Sequence, residues 1–193
     1  GHKTGIFKTW AECQQHTAGY SGAEFKSFKT MAEATTYMSG RIETVVDAPD
    51  DAVVRAYVDG SYDHSIRMYA GGAVLLYKGE EYYISESNNI EEMASMRNVA
   101  GELLGAVRAM EWYDEHLQET KAQKLVIYHD YEGIAKWATG AWKAKKEGTQ
   151  AYVEVFEGFK AKFPIEFIKV AAHTGDKYNE MADQLAKKAL GLL

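Results

Sequence analysis

The sequence predicts an α/β layer fold with a mixed sheet over residues 53–193, preceded by a small α+β unit. Three observations predict it. Beyond Val53 the elements read three strands, helix, strand, helices, strand, helix, an order that packs helices on a partly parallel sheet. The stretch Ser39 to Asp51, with Pro49 and the acids Asp47, Asp50 and Asp51, reads as a connector between two units. The length of 193 residues, 46% of them hydrophobic, suits one sizeable domain and a small one.

In the first unit, Gly5 to Lys8 is a short strand candidate. Thr9 then caps a helix, with Glu12 three residues on as its capping-box partner. Gly19 and Gly22 punctuate a turn, Phe25 to Phe28 alternates as a second strand, and Thr30 with Glu33 opens a second helix. Forty residues is a marginal size for an independent core, so further stabilising structure upstream is expected.

The second unit opens on the apolar strand Val53 to Val58, which is expected to end at Asp59-Gly60. Strands over Gly72–Tyr77 and Glu81–Ser87 follow, joined by Lys78-Gly79, and make an antiparallel meander. Val99, Leu103, Val107 and Met110 recur at helical spacing, so a helix runs to about Leu117. Lys124 to His129 is a short buried strand that stops at Asp130. Helices near 131–138 and 150–162 precede the strand Ile165–Val170, the polar loop His173 to Asp176 and a last helix from about Asn179.

Composition excludes several classes. No apolar run approaches the ~20 residues needed to span a bilayer. The first residues lack a signal pattern, and the single cysteine, Cys13, excludes internal disulfides and a cysteine metal cage. A reducing cytoplasm is therefore expected, with Cys13 a small core residue. The net charge is −6, from 22 basic and 28 acidic residues, so attraction to nucleic acid needs a local basic patch.

Four acids stand at element ends or stripe edges. Asp59 and Asp130 follow buried-looking strands, where α/β sheets place ligand crevices. Glu102 lies beside the stripe at 99, 103 and 107, and Asp183 beside Met181, Ala182 and Leu185. Converging carboxylates repel one another unless cations sit between them. Oxygen ligands without a histidine or cysteine set favour Mg²⁺ or Mn²⁺, and two such ions suit phosphodiester hydrolysis. On spacing alone, four ordinary surface acids among 28 is the favoured reading.

At these residues the sequence resembles type 1 ribonuclease H. The segments are Tyr57-Val58-Asp59-Gly60-Ser61, Asn98-Val99-Ala100-Gly101-Glu102, Tyr128-His129-Asp130, Ala172-His173-Thr174-Gly175 and Asn179 to Ala186. They come in that family's order, over roughly residues 53–191. The resemblance implies the ribonuclease H-like fold, a five-stranded mixed sheet flanked by helices. It also implies cleavage of the RNA strand of RNA–DNA hybrids with two Mg²⁺ ions, leaving 5′-phosphate and 3′-hydroxyl ends, with Mn²⁺ able to substitute. The implied metal ligands are Asp59, Glu102, Asp130 and Asp183, and His173 is implied in proton transfer or product release.

The first unit resembles the small hybrid-binding, viroplasmin-like module found before many such nucleases, through Gly5-Ile6-Phe7, Thr9-Trp10, Glu12-Cys13 and Phe25 to Thr30. The implied duplex contacts are Trp10, Phe25 and Lys26. The module's usual first strand has no counterpart here, and Ser27 stands where a second lysine is common. The division expected is a truncated module over 1–40, a linker over 41–52 and a catalytic domain over 53–193.

Between Gly133 and Lys146 the chain carries Lys136, Lys143, Lys145 and Lys146 without an acid, interleaved with Trp137 and Trp142. This is either a phosphate-binding patch with aromatic surface or a solvated helix end over two core tryptophans. The resemblance implies that Trp137 holds the DNA strand. Ser61 and Asn98, each beside an implied metal ligand, suit contacts to the 2′-hydroxyl that distinguishes RNA, and Gly60 is expected among the substrate-binding residues. Asn98 also reads as a helix N-cap. Arg97 and Thr149 match positions near the family's DNA-phosphate pocket, while Tyr131 and Glu132 depart from the Ser-Gln pair that often follows the aspartate. The function expected is a monomeric hybrid-specific endonuclease needing no protein or membrane partner. A non-catalytic hybrid-binding protein is the alternative.

Overall fold

The computed structural model describes residues 6–19, 27, 52–170 and 176–193. The chain divides into two units, Gly1–Ala48 and Pro49–Leu193.

In the first unit, helix α1 spans Trp10–Thr17. The Thr9 hydroxyl accepts from the Glu12 amide at 3.2 Å, and the Glu12 carboxylate accepts from the amides of Lys8 and Thr9 at 3.0 and 3.3 Å. The expected capping box is therefore present. Residues 6–8 are not a strand, because that carboxylate draws the Lys8 amide into the cap instead of a ladder. Cys13 is only partly buried, not a core residue. Apart from Ser27, the expected strand at 25–28 and the helix from Thr30 lie outside the described residues.

The second unit is built on a five-stranded sheet of order β3-β2-β1-β4-β5, with β1 at Val53–Asp63, β2 at Met68–Tyr77, β3 at Glu80–Asn88, β4 at Lys124–His129 and β5 at Ile165–Lys169. The first three strands are antiparallel, and β1, β4 and β5 run parallel. Lys78 and Gly79 make the two-residue turn from β2 to β3, both at positive φ (51° and 79°), as a tight hairpin requires. The central strands are nearly continuously apolar because helices cover both faces. The edge strand β3 is half-exposed and carries Glu80, Glu81 and Glu86, which discourages pairing with another chain.

The helices are α2 at Glu91–Ala94, α3 at Asn98–Thr120, α4 at Gly133–Ala138, α5 at Glu147–Lys160 and α6 at Lys177–Ala189. The long α3 buries Leu103, Ala106, Met110 and Tyr113 against β1 and β2. Its approach depends on Gly60, where a Cβ would lie 2.2 Å from the Glu102 amide nitrogen. On β2, Gly72 admits α6 just as closely: a Cβ there would lie 2.1 Å from the Ala182 carbonyl oxygen. The Asp176 carboxylate caps α6 by accepting from the amides of Tyr178 and Asn179.

Two expectations are corrected. Strand β1 does not end at Asp59-Gly60; it continues to Asp63, because antiparallel pairing with β2 persists to Asp63↔Met68. What stops is the parallel pairing with β4, at Tyr57↔Tyr128. The N-cap of α3 is Arg97 at φ 55°, not Asn98: the turn through Met96 and Arg97 bonds back to Met93 and Ala94, and the helix starts one residue earlier than expected. Helix α2, which no periodicity announced, forms that turn. Among the described residues no helix is long and apolar enough to cross a membrane.

Candidate active site

Where the β1–β4 ladder ends, three acids converge. Asp59 projects from β1, Glu102 from the second turn of α3, and Asp130 follows the last residue of β4. One carboxylate oxygen of each lies within 4.8 Å of the others. Asp59 and Glu102 are 7% and 6% exposed, so their mutual repulsion is poorly screened. Burial pushes the Asp59 carboxyl up to about 6, and the charge of Asp130 adds to it. The Gly60 amide opposes that rise by donating to Asp59 Oδ1 at 2.8 Å. Burial, then the charges of Asp59 and Asp130, raise Glu102 well above the usual carboxylate range.

Glu102 Oε2 is buried and has no hydrogen-bond partner. A buried acceptor without a donor costs about 1–3 kcal/mol, and more when charged. The arrangement suits a hard divalent cation, which would satisfy that oxygen and cancel the repulsion. Asp183, on α6, stands outside the group of three. Its charge reaches Asp59, but its Oδ2 accepts from Lys187 Nζ at 2.7 Å, one helical turn on.

Around the acids, Ser61 is buried and Gly60 is pressed against α3. Asn98 and Arg97 are exposed at the start of α3, and no side chain caps that helix.

A cavity of about 350 Å³ lies on the side of α4 and α5, lined by Tyr131, Trp137, Lys143, Lys145, Lys146 and Thr149 among others. The Thr149 hydroxyl is already occupied: it accepts from the Lys146 amide at 3.2 Å and donates to its carbonyl at 2.8 Å. The four lysines divide. Lys136 donates to Glu132 at 2.8 Å and lies over the Trp142 ring at 4.9 Å. Lys143, Lys145 and Lys146 line the cavity and form no ion pair among the described residues. Trp137 packs edge-on against Trp142 and tilts against Tyr131, so it is both wall and support.

Glu132, which replaces an amide in the expected pattern, also accepts from Lys169 at 3.1 Å. Its two lysines hold its carboxyl below the usual range. The reading from sequence missed Tyr131 as a cavity wall; the spacing of Glu132 and Lys136, four apart, was the available sign that Lys136 is paired. Trp10 is 57% exposed at the start of α1. His173, Phe25 and Lys26 lie outside the described residues.

Comparison with known proteins adds the following. A family model described as RNase H matches residues 51–191, and one described as Ribonuclease H1 N-terminal domain matches residues 1–38. A ribonuclease H from Neorickettsia sennetsu is 26% identical over 143 residues, covering 68% of this chain and 89% of that one. Among solved structures, the RNase H1 of the archaeon Halobacterium salinarum NRC-1 is 21% identical with a TM-score of 0.56, covering 72% of this chain and 98% of that one. LC11-RNase H1 in complex with an RNA/DNA hybrid is 17% identical with a TM-score of 0.54, over 71% of this chain and 99% of that one.

Proposed function

The chain belongs to the ribonuclease H family, type 1 with an N-terminal module, and from that premise we propose that it hydrolyses the RNA strand of RNA–DNA hybrids with two Mg²⁺ ions, leaving 5′-phosphate and 3′-hydroxyl ends. The observation that carries the reading is the trio Asp59, Glu102 and Asp130, with the partnerless Glu102 oxygen buried among them. The similar LC11-RNase H1, solved in complex with an RNA/DNA hybrid, supports the substrate.

Asp59, on β1, and Asp130, just past β4, would be the central holders of the ions. Glu102 and Asp183 would complete the holding set, Asp183 after releasing Lys187. The chemistry supplied by the bound cations is activation of a water and neutralisation of the leaving oxygen. The chain's own residues do the rest. Raised carboxyl pKa values mean that Asp59 and Glu102 give up protons as cations bind, so loading is favoured as pH rises. Ser61 and Asn98 meet the 2′-hydroxyls of the RNA strand. Lys143, Lys145 and Lys146 hold phosphates of the DNA strand beside Trp137, and Arg97, exposed at the start of α3, is assigned to the same strand. Thr149 supports that pocket through the cap of α5 rather than by touching phosphate. His173 assists proton transfer.

Residues 1–40 are read as the hybrid-binding module, with Trp10, Phe25 and Lys26 on the duplex, residues 41–52 as linker and 53–193 as catalytic domain.

The test is cleavage of end-labelled RNA–DNA hybrid beside single-stranded RNA, RNA duplex and DNA duplex, with Mg²⁺, with Mn²⁺ and with EDTA. Cutting confined to the RNA of the hybrid and lost in EDTA is expected. Binding without cutting by folded protein, with both metals tried, would overturn the catalytic reading.

A further inference from the structure

The last rung of the β1–β4 ladder is the pair Tyr57↔Tyr128, and each tyrosine stands two residues before an acid of the trio. Beyond that rung no hydrogen-bonded pairing joins the two strands: β1 continues only beside β2, and β4 ends at His129 beside β5. Asp59 and Asp130 thus sit just past the point where β1 and β4 part, where their own repulsion would push them further apart. The rings of Tyr57 and Tyr128 stack across this last rung, centroids 4.4 Å apart and planes within 6°.

A third ring joins them. Tyr178, in the first turn of α6, tilts against Tyr57 with centroids 5.4 Å apart. Its hydroxyl donates to Glu81 on β3 at 3.0 Å, so it is anchored from the far side of the sheet. Asp183 lies five residues further along the same helix, which is pressed onto Gly72 of β2, the residue paired with Asp59. Each ring therefore belongs to an element that carries one of the implied ligands.

We propose that the Tyr57–Tyr128–Tyr178 cluster is a positioning device that holds Asp59, Asp130 and Asp183 at the spacing a divalent cation needs. The inference rests on the metal reading above. The rings touch neither metal nor substrate and act by stopping the strand ends and α6 from moving apart. Packing alone would be served by any apolar side chain of similar volume, whereas positioning needs the flat stacked rings.

The experiment is calorimetric titration of Mg²⁺ and Mn²⁺ into the full chain and into Tyr128→Phe, Tyr128→Leu and Tyr178→Leu, each checked for folding by circular dichroism. Tyr128→Phe keeps the stack and is expected to bind like the wild type. Tyr128→Leu and Tyr178→Leu are expected to bind about tenfold more weakly while remaining folded, the loss typical when groups behind metal ligands are removed. Tyr178 is half-buried, so its variant keeps the test open should the buried Tyr128→Leu not fold. A purely structural role would lower the unfolding temperature and leave the affinity of the folded protein unmoved. Wild-type binding beside unchanged affinity in a folded leucine variant overturns the inference alone. A wild type that binds neither ion overturns the metal reading, and the inference with it.

Discussion

The backbone of Gly60 touches the backbone of Glu102: a Cβ on Gly60 would lie 2.2 Å from the Glu102 amide nitrogen and 2.6 Å from the Asn98 carbonyl oxygen. No side chain rearrangement relieves such a clash, because both obstructing atoms are main chain. The contact falls one residue after Asp59 and at Glu102 itself, so it sets the distance between two of the three converging acids. Gly60→Ala should therefore force α3 off β1, with a cost of about 1–3 kcal/mol or more. It should abolish cleavage and lower the unfolding temperature. Gly158→Ala, on the exposed side of α5 with nothing near its Cβ, is the control. That change should stabilise the protein by up to about 1 kcal/mol and leave cleavage alone. Thermal unfolding of the two variants side by side decides the point, and a Gly60→Ala protein as stable as the wild type would refute the close contact.

The raised carboxyls make the metal-free protein sensitive to pH in a definite direction. Asp59 is pushed up to about 6, and Glu102 well above its usual range, whereas in the unfolded chain both titrate near the ordinary carboxylate value of about 4. Below that value both states hold their protons and the contribution to stability is complete. Above it the unfolded chain has released protons that the folded protein retains, so stability falls as pH rises through 6 and beyond. Other acids pull the opposite way at low pH, Glu132 among them, so the test is a difference. Asp59→Asn should gain on the wild type as pH rises, with an advantage of several degrees in unfolding temperature at mildly alkaline pH. A difference that stays flat with pH would refute the shift.

Metal should remove the same penalty. Mg²⁺ bound only to the folded state stabilises by mass action, and more strongly at alkaline pH, where fewer protons must leave. The wild type should gain unfolding temperature with added Mg²⁺, whereas Asp59→Asn and Asp130→Asn should gain little and should not cleave. Equal gains in all three proteins would place the ion elsewhere.

Much of this arrangement was legible in the sequence because strand ends and capping residues are local signals. The stop at Asp130, the Lys78-Gly79 turn and the Thr9–Glu12 capping box each depend on a few neighbouring residues. The extent of β1 was not legible. Val53 to Val58 is apolar and Asp59-Gly60 resembles a turn, yet pairing with β2 carries the strand to Asp63, and a partner strand is not a local property. The same holds for Asn98, whose residue type suits a cap that the turn from α2 assigns to Arg97 instead. Within the site, the three converging acids were visible as residue types at element ends. The pairing of Asp183 with Lys187, four residues on, was readable from the same spacing as Glu132 and Lys136, whereas the tyrosine stack was not, because it depends on which faces the sheet and α6 bring together.

The division among the lysines yields the last prediction. Lys143, Lys145 and Lys146 line the cavity beside Trp137 and have no acidic partner among the described residues, so their charge is available to phosphate. Lys136 is engaged by Glu132 and by the Trp142 ring, so its charge is largely answered within the protein. Each phosphate contact made by a lysine releases counterions, and its removal should flatten the dependence of log affinity on log salt by about one unit. Lys145→Ala should weaken hybrid binding in this salt-dependent way, and removal of all three cavity lysines should flatten the dependence by up to about three units. Lys136→Ala should leave the salt slope nearly unchanged, although it frees part of the Glu132 charge and loosens Trp142. Adding Glu132→Gln to Lys136→Ala should then recover any affinity lost to that uncovered charge. Hybrid affinity measured across a salt series in Ca²⁺, which commonly permits binding without turnover in Mg²⁺-dependent nucleases, separates the two kinds of lysine. Equal slopes for Lys136→Ala and Lys145→Ala would mean that the cavity is not where the phosphates lie.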